Sequence, residues 1–296
     1  MLHNLNPAQY DIAFIQEPVI NIVNLTTSNP KWNVIYPSTH NKDHATRTRS
    51  VILINKAISK DSWHTIPIGT PDITAIELSS AFGWIRIYNI YNDNTHNDML
   101  TTLEDHFTSA NAQERNPPGG LLLRGDFNRH HPMWDETRNQ HLFMAANLRA
   151  TQLLLELLAS YDLVMALPEG LPMLEANVTG NHIHPDNVFC TSHLMEMISK
   201  CNVQPELCPT GTDHYPIITE LNLNPECTNP PSKRNYRATN WEKFEKTISG
   251  KLNSLLLPSE INSIPNLEEK LDEVTQAILT TIENAVPTTK RSPYMK

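Results

Sequence analysis

With 296 residues, 39% of them hydrophobic, the chain is long enough for one large α/β domain with an appendage or for two modest domains, and its recurring apolar runs exclude disorder throughout. A formal net charge of −9 argues against a general nucleic-acid binder, which is usually basic. It leaves room for an enzyme that gathers acids at a metal centre and meets nucleic acid through a local basic strip. No apolar stretch of about 18 residues marks a membrane span, and the first residues show no basic region followed by an apolar segment, so no secretory signal is visible.

In chain order, residues 11–15 form an expected strand that stops at Gln16-Glu17-Pro18, because proline has no amide proton for a ladder. Residues 51–54 and 73–78 are the next strands. Residues 84–91 alternate and then break into the polar Asn92-Asp93-Asn94. The run Leu121-Leu122-Leu123 leads into Gly125-Asp126-Phe127-Asn128, a buried strand delivering a carboxylate and an amide to a sheet rim. Since i and i+2 share a face of a strand, Asp126 and Asn128 can act on one group, such as a water or a hydrated Mg²⁺ against a phosphate. A plain turn is the alternative for this tetrapeptide, Gly, Asp and Asn being the usual turn residues. Residues 144–161 carry Leu148, Leu154, Leu155 and Leu158 at helical spacing; residues 163–167 are a strand ended by Pro168. Val188-Phe189-Cys190 follow Pro185-Asp186, and residues 216–221 alternate and close the series. Many strands with few long helices between them predict a mixed, layered α/β fold.

The composition then changes. Pro225, Pro230 and Pro231, followed by Lys233, Arg234 and Arg237, predict an extended linker. Beyond it Trp241, Phe244, Ile248, Leu252 and Leu255 share one helical face, and Leu267, Leu271, Val274, Ile278 and Ile282 another. The expected organisation is a domain over 1–224, a linker over 225–239 and a helical segment over 240–296.

Cys190, Cys201, Cys208 and Cys227 show neither a C-x-x-C pair nor zinc spacing; free thiols in a reducing, intracellular compartment are expected, with two disulfides as the alternative. His130, His131, His182 and His184 lack a matching metal framework and read as loop histidines. Arg47, Arg49, Lys56, Arg124 and Arg129 are candidates for phosphate contacts, the alternative being scattered solvated charges.

Five polar sites share one placement, each at the end of an apolar strand: Glu17, the loop from Tyr91 to Asn94, Asp126 with Asn128, Asp186, and Asp213-His214. Strand ends are where a rigid sheet presents catalytic groups. In this order Gln16-Glu17-Pro18, Ile90-Tyr91 with Asn94, Gly125-Asp126-Phe127-Asn128, Pro185-Asp186-Asn187-Val188-Phe189 and Thr212-Asp213-His214 resemble the endonuclease/exonuclease/phosphatase superfamily. The strings GDFNRHHPMWDE (125–136) and HPDNVFC (184–190) resemble more narrowly the endonuclease domain of fungal non-LTR (LINE-type) retrotransposons. The resemblance spans roughly residues 10–221.

The resemblance implies a four-layered α/β/β/α sandwich with a C-terminal helical appendage. It implies Mg²⁺- or Mn²⁺-dependent phosphodiester hydrolysis, with DNA as partner, no membrane, and a reverse transcriptase in the full-length element, towards which the helical segment would lead. A working copy would act in the nucleus. Residue by residue, Glu17 matches a metal-binding glutamate, and Asp126 with Asn128 the pair that orients water and phosphate. Tyr91 and Asn94 match phosphate-side contacts. His214 matches the histidine at the scissile phosphate, Asp186 the aspartate orienting it, and Asp213 a further metal or water ligand. Two departures stand out. The family's asparagine-bearing opening strand has no counterpart among residues 1–9, so the chain is expected to begin after it. Met173 stands where relatives often carry threonine, and His184 where they often carry arginine, which weakens the expected DNA contact. Two other functions fit the same residues: a non-catalytic remnant that binds nucleic acid or protein, and a phosphomonoesterase.

Overall fold

The computed structural model describes residues 5–42, 47–80, 83–110, 119–175, 182–209, 211–223, 234–255 and 263–288. The chain forms two compact units, Met1–Glu226 and Cys227–Lys296.

The elements of the first unit are, in order, β1 (Ile12–Gln16), β2 (Trp32–Ile35), β3 (Ser50–Asn55), β4 (Trp63–Ile66), β5 (Ile73–Ser80), β6 (Gly83–Tyr91), α1 (Asp98–Ala110), β7 (Gly120–Asp126), α2 (Ala145–Ser160), β8 (Leu163–Met165), β9 (Leu174–Glu175), β10 (His182–Ile183), β11 (Asp186–Thr191), α3 (Ser192–Met195), β12 (Ile198–Val203) and β13 (Ile217–Leu221). The main sheet has the order β4-β5-β6-β7-β11-β8, in which only β6 and β7 run parallel. A second sheet, β1-β3-β2, and the pairs β12-β13 and β9-β10 complete the strands. The expected strands at 11–15, 51–54, 73–78 and 84–91 and the helix at 144–161 are present, with ends shifted by a few residues.

Side-chain alternation sorts the main sheet into two cores. Tyr88 and Ile90 of β6, Leu123 of β7 and Phe189 of β11 pack with Met99, Leu100, Leu103 and Phe107 of α1 and Leu154, Leu157 and Leu158 of α2. The opposite set, Ile85 and Ile87, Leu122, and Val188 with Cys190, packs with Ile52 and Ile54 of β3 and with Leu194 from the single turn of α3. The architecture is thus an α/β sandwich. β3, all six residues buried, is the near-continuous apolar run expected of a strand covered on both faces. Asn89 sits on the inter-sheet face of β6, and its Nδ2 donates to the carbonyls of Ile15 and Val51, welding the sheets at the site end.

In the second unit, α4 (Trp241–Leu252) and α5 (Ile264–Ala285) are capped by Asn240 and Ser263, which accept from the amides of Lys243 and Asn266. The expected linker is described only from Arg234 onward; 225–233, and with it Cys227, lie outside the described residues. Residues 234–239 are not extended chain. Arg234 bridges Thr288 and donates to the Val286 carbonyl, and Asn235 donates to that of Pro287, so this stretch folds onto the end of α5. Its unpaired backbone groups find partners there that a solvated linker would leave to water.

Candidate active site

The sheet's register builds the site. Asp126 ends β7, where it is the parallel partner of Tyr91 on β6 and the antiparallel partner of Asp186 on β11. Register partners share a face. By alternation that face is the inter-sheet one, so three neighbouring strands deliver a phenol and two carboxylates side by side. The parallel β6–β7 pairing brings the chain so close at Gly125 (φ +140°) that a Cβ there would lie 1.9 Å from the Ile90 carbonyl oxygen. Only glycine fits the step before the aspartate.

Asn128 turns back on Asp126. With φ +48° it donates its backbone amide to Asp126 Oδ1 and its Nδ2 to Oδ2, both at 2.9 Å, and Nδ2 also reaches the Asn92 carbonyl. Asn92 is fully buried and closes this loop by donating to the carbonyls of Asp126 (2.8 Å) and Phe127 (2.7 Å). Its role is not evident from sequence, where it is one polar residue in a polar run. Asn94 stands exposed in the same loop.

His214 arrives from a different part of the chain. It bridges Leu174 of β9, and the next amide, Tyr215, donates to the Met173 carbonyl at 2.7 Å. Met173 is fully buried. Its contribution is a core side chain and a backbone anchor for the histidine, and its thioether has no hydrogen bond to offer a phosphate. So placed, His214 Nδ1 lies 2.7 Å from Asp186 Oδ2. Ligand-capable atoms of Asp126, Asp186 and His214 all lie within 4.8 Å of one another.

Glu17 follows β1 with φ +46° and donates its amide to the Arg49 carbonyl. Burial first, then the nearby Glu17 charge, pushes the Tyr91 phenol up to about 12, so it remains a donor at neutral pH. Arg49 stacks over the Tyr91 ring (5.0 Å) and pairs with Asp93 at 2.8 Å. Asp213 adjoins His214, and its charge acts on that ring. Glu17 and Asp213 stand beside the triad rather than within it.

The electrostatics are those of crowded acids. Burial, then the Asp186 charge, raises Asp126 well above the ordinary carboxylate range. Burial alone would lower His214, but the hydrogen bond and charge of Asp186, with Asp126 and Asp213 behind, raise it to about 9, so the ring is cationic at neutral pH. Two carboxylates in register, with Glu17 close enough to raise Asp126 further, form an oxygen-rich donor set with more negative charge than one imidazolium balances. That chemistry fits a hard divalent cation.

Two candidate phosphate contacts, Arg129 and Arg124, are spent inside the protein, and so is His184. Arg129 is buried and spends its guanidinium on the carbonyls of Asp93, His96, Asn128 and Ala150 and on Asn97 Oδ1, clamping loops to α2 instead of facing phosphate. Arg124 stacks on Phe14 (4.2 Å) and donates to the Ile217 carbonyl, because its β7 position faces the inter-sheet core. His184 is buried against Asn187 and cannot stand in for a DNA-facing arginine. Asp135, unremarked in sequence, accepts from the amides of His184 and His131 and from His130 Nδ1. It ties the loop after Asn128 to the strand end before Asp186. The described cysteines, Cys190, Cys201 and Cys208, are free thiols, and no helix among the described residues is long and apolar enough to cross a membrane.

Residues 85–218 match the family model described as Endonuclease-reverse transcriptase. Among solved structures, the chain is similar to the endonuclease domain of TRAS1, a telomere-specific non-LTR retrotransposon (16% identity, TM-score 0.54, covering 73% of this chain and 88% of that one). It is also similar to the AP endonuclease LMAP from Leishmania major (14%, 0.55, 71% and 78%). This chain carries the endonuclease/exonuclease/phosphatase fold. A further structure of this fold, the 3'-5' exonuclease NExo from Neisseria meningitidis, matches with 14% identity and a TM-score of 0.52 over 72% of this chain and 89% of that one. The sequence matches no curated protein.

Proposed function

We propose that this chain is a divalent-metal-dependent phosphodiesterase that nicks DNA, the endonuclease part of a non-LTR retrotransposon. The observation that carries the reading is the meeting of Asp126, Asp186 and His214, from distant parts of the sequence, at one sheet rim. The family match over 85–218 and the fold likeness to the TRAS1 endonuclease domain support it.

Each side chain has work suited to its surroundings. Asp126, raised towards neutrality, accepts the proton of the attacking water as the water oxygen bonds to phosphorus and the bond to the leaving sugar oxygen breaks; that oxygen takes its proton from solvent. Asn128 fixes the Asp126 carboxylate through two hydrogen bonds. With Nδ1 held by Asp186, His214 presents Nε2–H to a phosphoryl oxygen and stabilises the charge that builds there. Tyr91 would donate on the same side, and Asn94, exposed in the adjoining loop, would meet a flanking phosphate. Glu17, beside the Asp126–Asp186 pair, would hold a Mg²⁺ or Mn²⁺ ion, with Asp213 as a further ligand of the metal or its water; the ion would supply charge neutralisation on the phosphate.

The test is nicking of supercoiled plasmid with Mg²⁺, with and without chelator, for wild type, Asp186→Asn and His214→Ala. Wild type nicks and each variant falls by about two to four orders of magnitude. Equal nicked plasmid in all three overturns catalysis by this chain. Turnover of small phosphomonoesters without nicking would point to a phosphomonoesterase instead, and DNA binding without either activity to a remnant.

A further inference from the structure

We propose that Arg124 is a positioning residue: its guanidinium rests one face on β1, reaches β13 with its edge, and so holds His214 against the strands that carry Asp126 and Asp186. The inference rests on the DNA-cutting reading above. The groups that would cut lie at the sheet rim, and Arg124 lies one step behind them. It precedes Asp126 by two residues on β7, so the two share the inter-sheet face. Its register partners are Val188, two residues beyond Asp186, and Asn89, two residues before Tyr91.

The two strands that Arg124 touches are held very differently. β1, which leads into Glu17, is laddered to β3 along its whole length, and its Ile15 carbonyl accepts from Asn89 Nδ2 at 3.1 Å. It is a fixed wall. β13, which follows His214, pairs with β12, and this two-stranded ribbon has no ladder to either larger sheet. The His214 bridge and the Tyr215 amide tie its start to Leu174 and Met173, and β9 lies outside the main sheet as well. Ile217 and Leu221 pack on the inter-sheet core, but apolar burial is non-directional and does not fix register. A directed bond does: Arg124 Nη2 donates to the Ile217 carbonyl, three residues beyond His214, at 3.2 Å.

The chemistry of the side chain suits this task. The guanidinium carbon lies 4.2 Å from the centroid of the Phe14 ring, so the fixed wall of β1 orients the planar fork and aims its edge at β13. Leu122, Val188 and Cys190 line the same core, and a methionine at this position would fill the space without taking a charge out of water. The cation is therefore not there to fill volume. What it adds is the bond to the strand of the histidine, at a point where the Asp186 charge also acts on it. The contact of 2.7 Å between His214 Nδ1 and Asp186 Oδ2 depends on β13 keeping its place beside β7 and β11, and Arg124 spans that gap.

The experiment compares the full chain with Arg124→Met, which keeps an unbranched side chain and loses the planar face and the donor. Two quantities are read: the rate of plasmid nicking with Mg²⁺ at saturating DNA, and the imidazole N–H proton of His214 by nuclear magnetic resonance. That proton is identified by its loss in His214→Ala, and the contact with Asp186 protects it from exchange with water. In Arg124→Met nicking should fall about 10- to 100-fold, the effect of misplacing a catalytic group by up to about 1 Å. The proton signal should broaden or vanish while circular dichroism stays unchanged. Nicking at the wild-type rate overturns the proposal, and so does slower nicking with the proton signal intact, which would give Arg124 a general structural role. Should Arg124→Met not fold, Arg124→Lys, which keeps the charge without the planar face, is read in the same way. Slower nicking with a weakened signal then supports the proposal, and a wild-type value of either overturns it. A wild type that does not nick refutes the DNA-cutting reading, and the proton signal alone then decides whether Arg124 seats the histidine.

Discussion

Two buried acidic centres lie in the same unit, and they differ in what compensates them. Asp135, its side chain wholly shielded, accepts from two backbone amides and a histidine, and the carboxylate is spent on holding two loops together. Asp126 and Asp186 face each other in register, and part of what they meet is one another's charge. Burial of a carboxylate therefore does not distinguish scaffold from chemistry. The distinction lies in whether neighbouring N–H groups saturate the charge or a like charge leaves it poised.

The widest separation between the two centres should appear in Asp126→Asn. Nicking falls by about two to four orders of magnitude, while the thermal midpoint of the metal-free protein stays level or rises, because a buried like-charge contact is relieved. A large drop in midpoint would make Asp126 as structural as Asp135 and dissolve the comparison. Gly125→Ala attacks the strand that carries Asp126. Its new Cβ meets the Ile90 carbonyl oxygen, and the expected loss is at least about 3 kcal/mol of stability by denaturant titration. Asp135→Asn reverses the pattern of Asp126→Asn: about 1–3 kcal/mol of stability is lost, and nicking falls by less than it does for Asp126→Asn. Comparable activity losses for the two variants would show that Asp135 acts on the chemistry and not through the loops.

Much of the Asp126–Asp186 centre could be read from the chain because its groups follow strong strand signals. Asp126 ends a leucine run, Tyr91 ends an alternating strand, and Asp186 precedes Val188-Phe189-Cys190. Asp135, Asn92 and Asn89 were not legible, because their importance lies in hydrogen bonds to backbone groups distant in sequence, and an Asn or Asp in a polar loop looks the same whichever carbonyl or amide it meets. The arginines failed for a related reason. A guanidinium beside an active-site motif serves a phosphate or a set of carbonyls equally well, and only the packing of Arg129 against α2 and the 93–97 loop decides. Among the elements, β4 (Trp-His-Thr-Ile) and β12 (Ile-Ser-Lys-Cys-Asn-Val) are short or polar-faced strands with weak patterns. α1 hides four buried apolar residues among threonines and acids.

The smallest expected effect concerns the cation that balances the acids. Asp186, Asp126 and Asp213 together raise His214 in the folded protein to about 9, against an ordinary value of 6.5. A folded-state value above the unfolded one means that the folded protein holds the proton more tightly. The resulting stability is fully present below about pH 6.5 and is lost as pH rises through about 9. Thermal midpoints of the metal-free protein should therefore decline across that window, and His214→Ala should remove part of the decline. The slope is shallow, because the His214 side chain is 34% open to solvent and water screens the pair. A midpoint that rises between pH 6.5 and 9 would mean that the imidazole is held neutral, and the charge assigned to it at the phosphate would then have to come from elsewhere in the site.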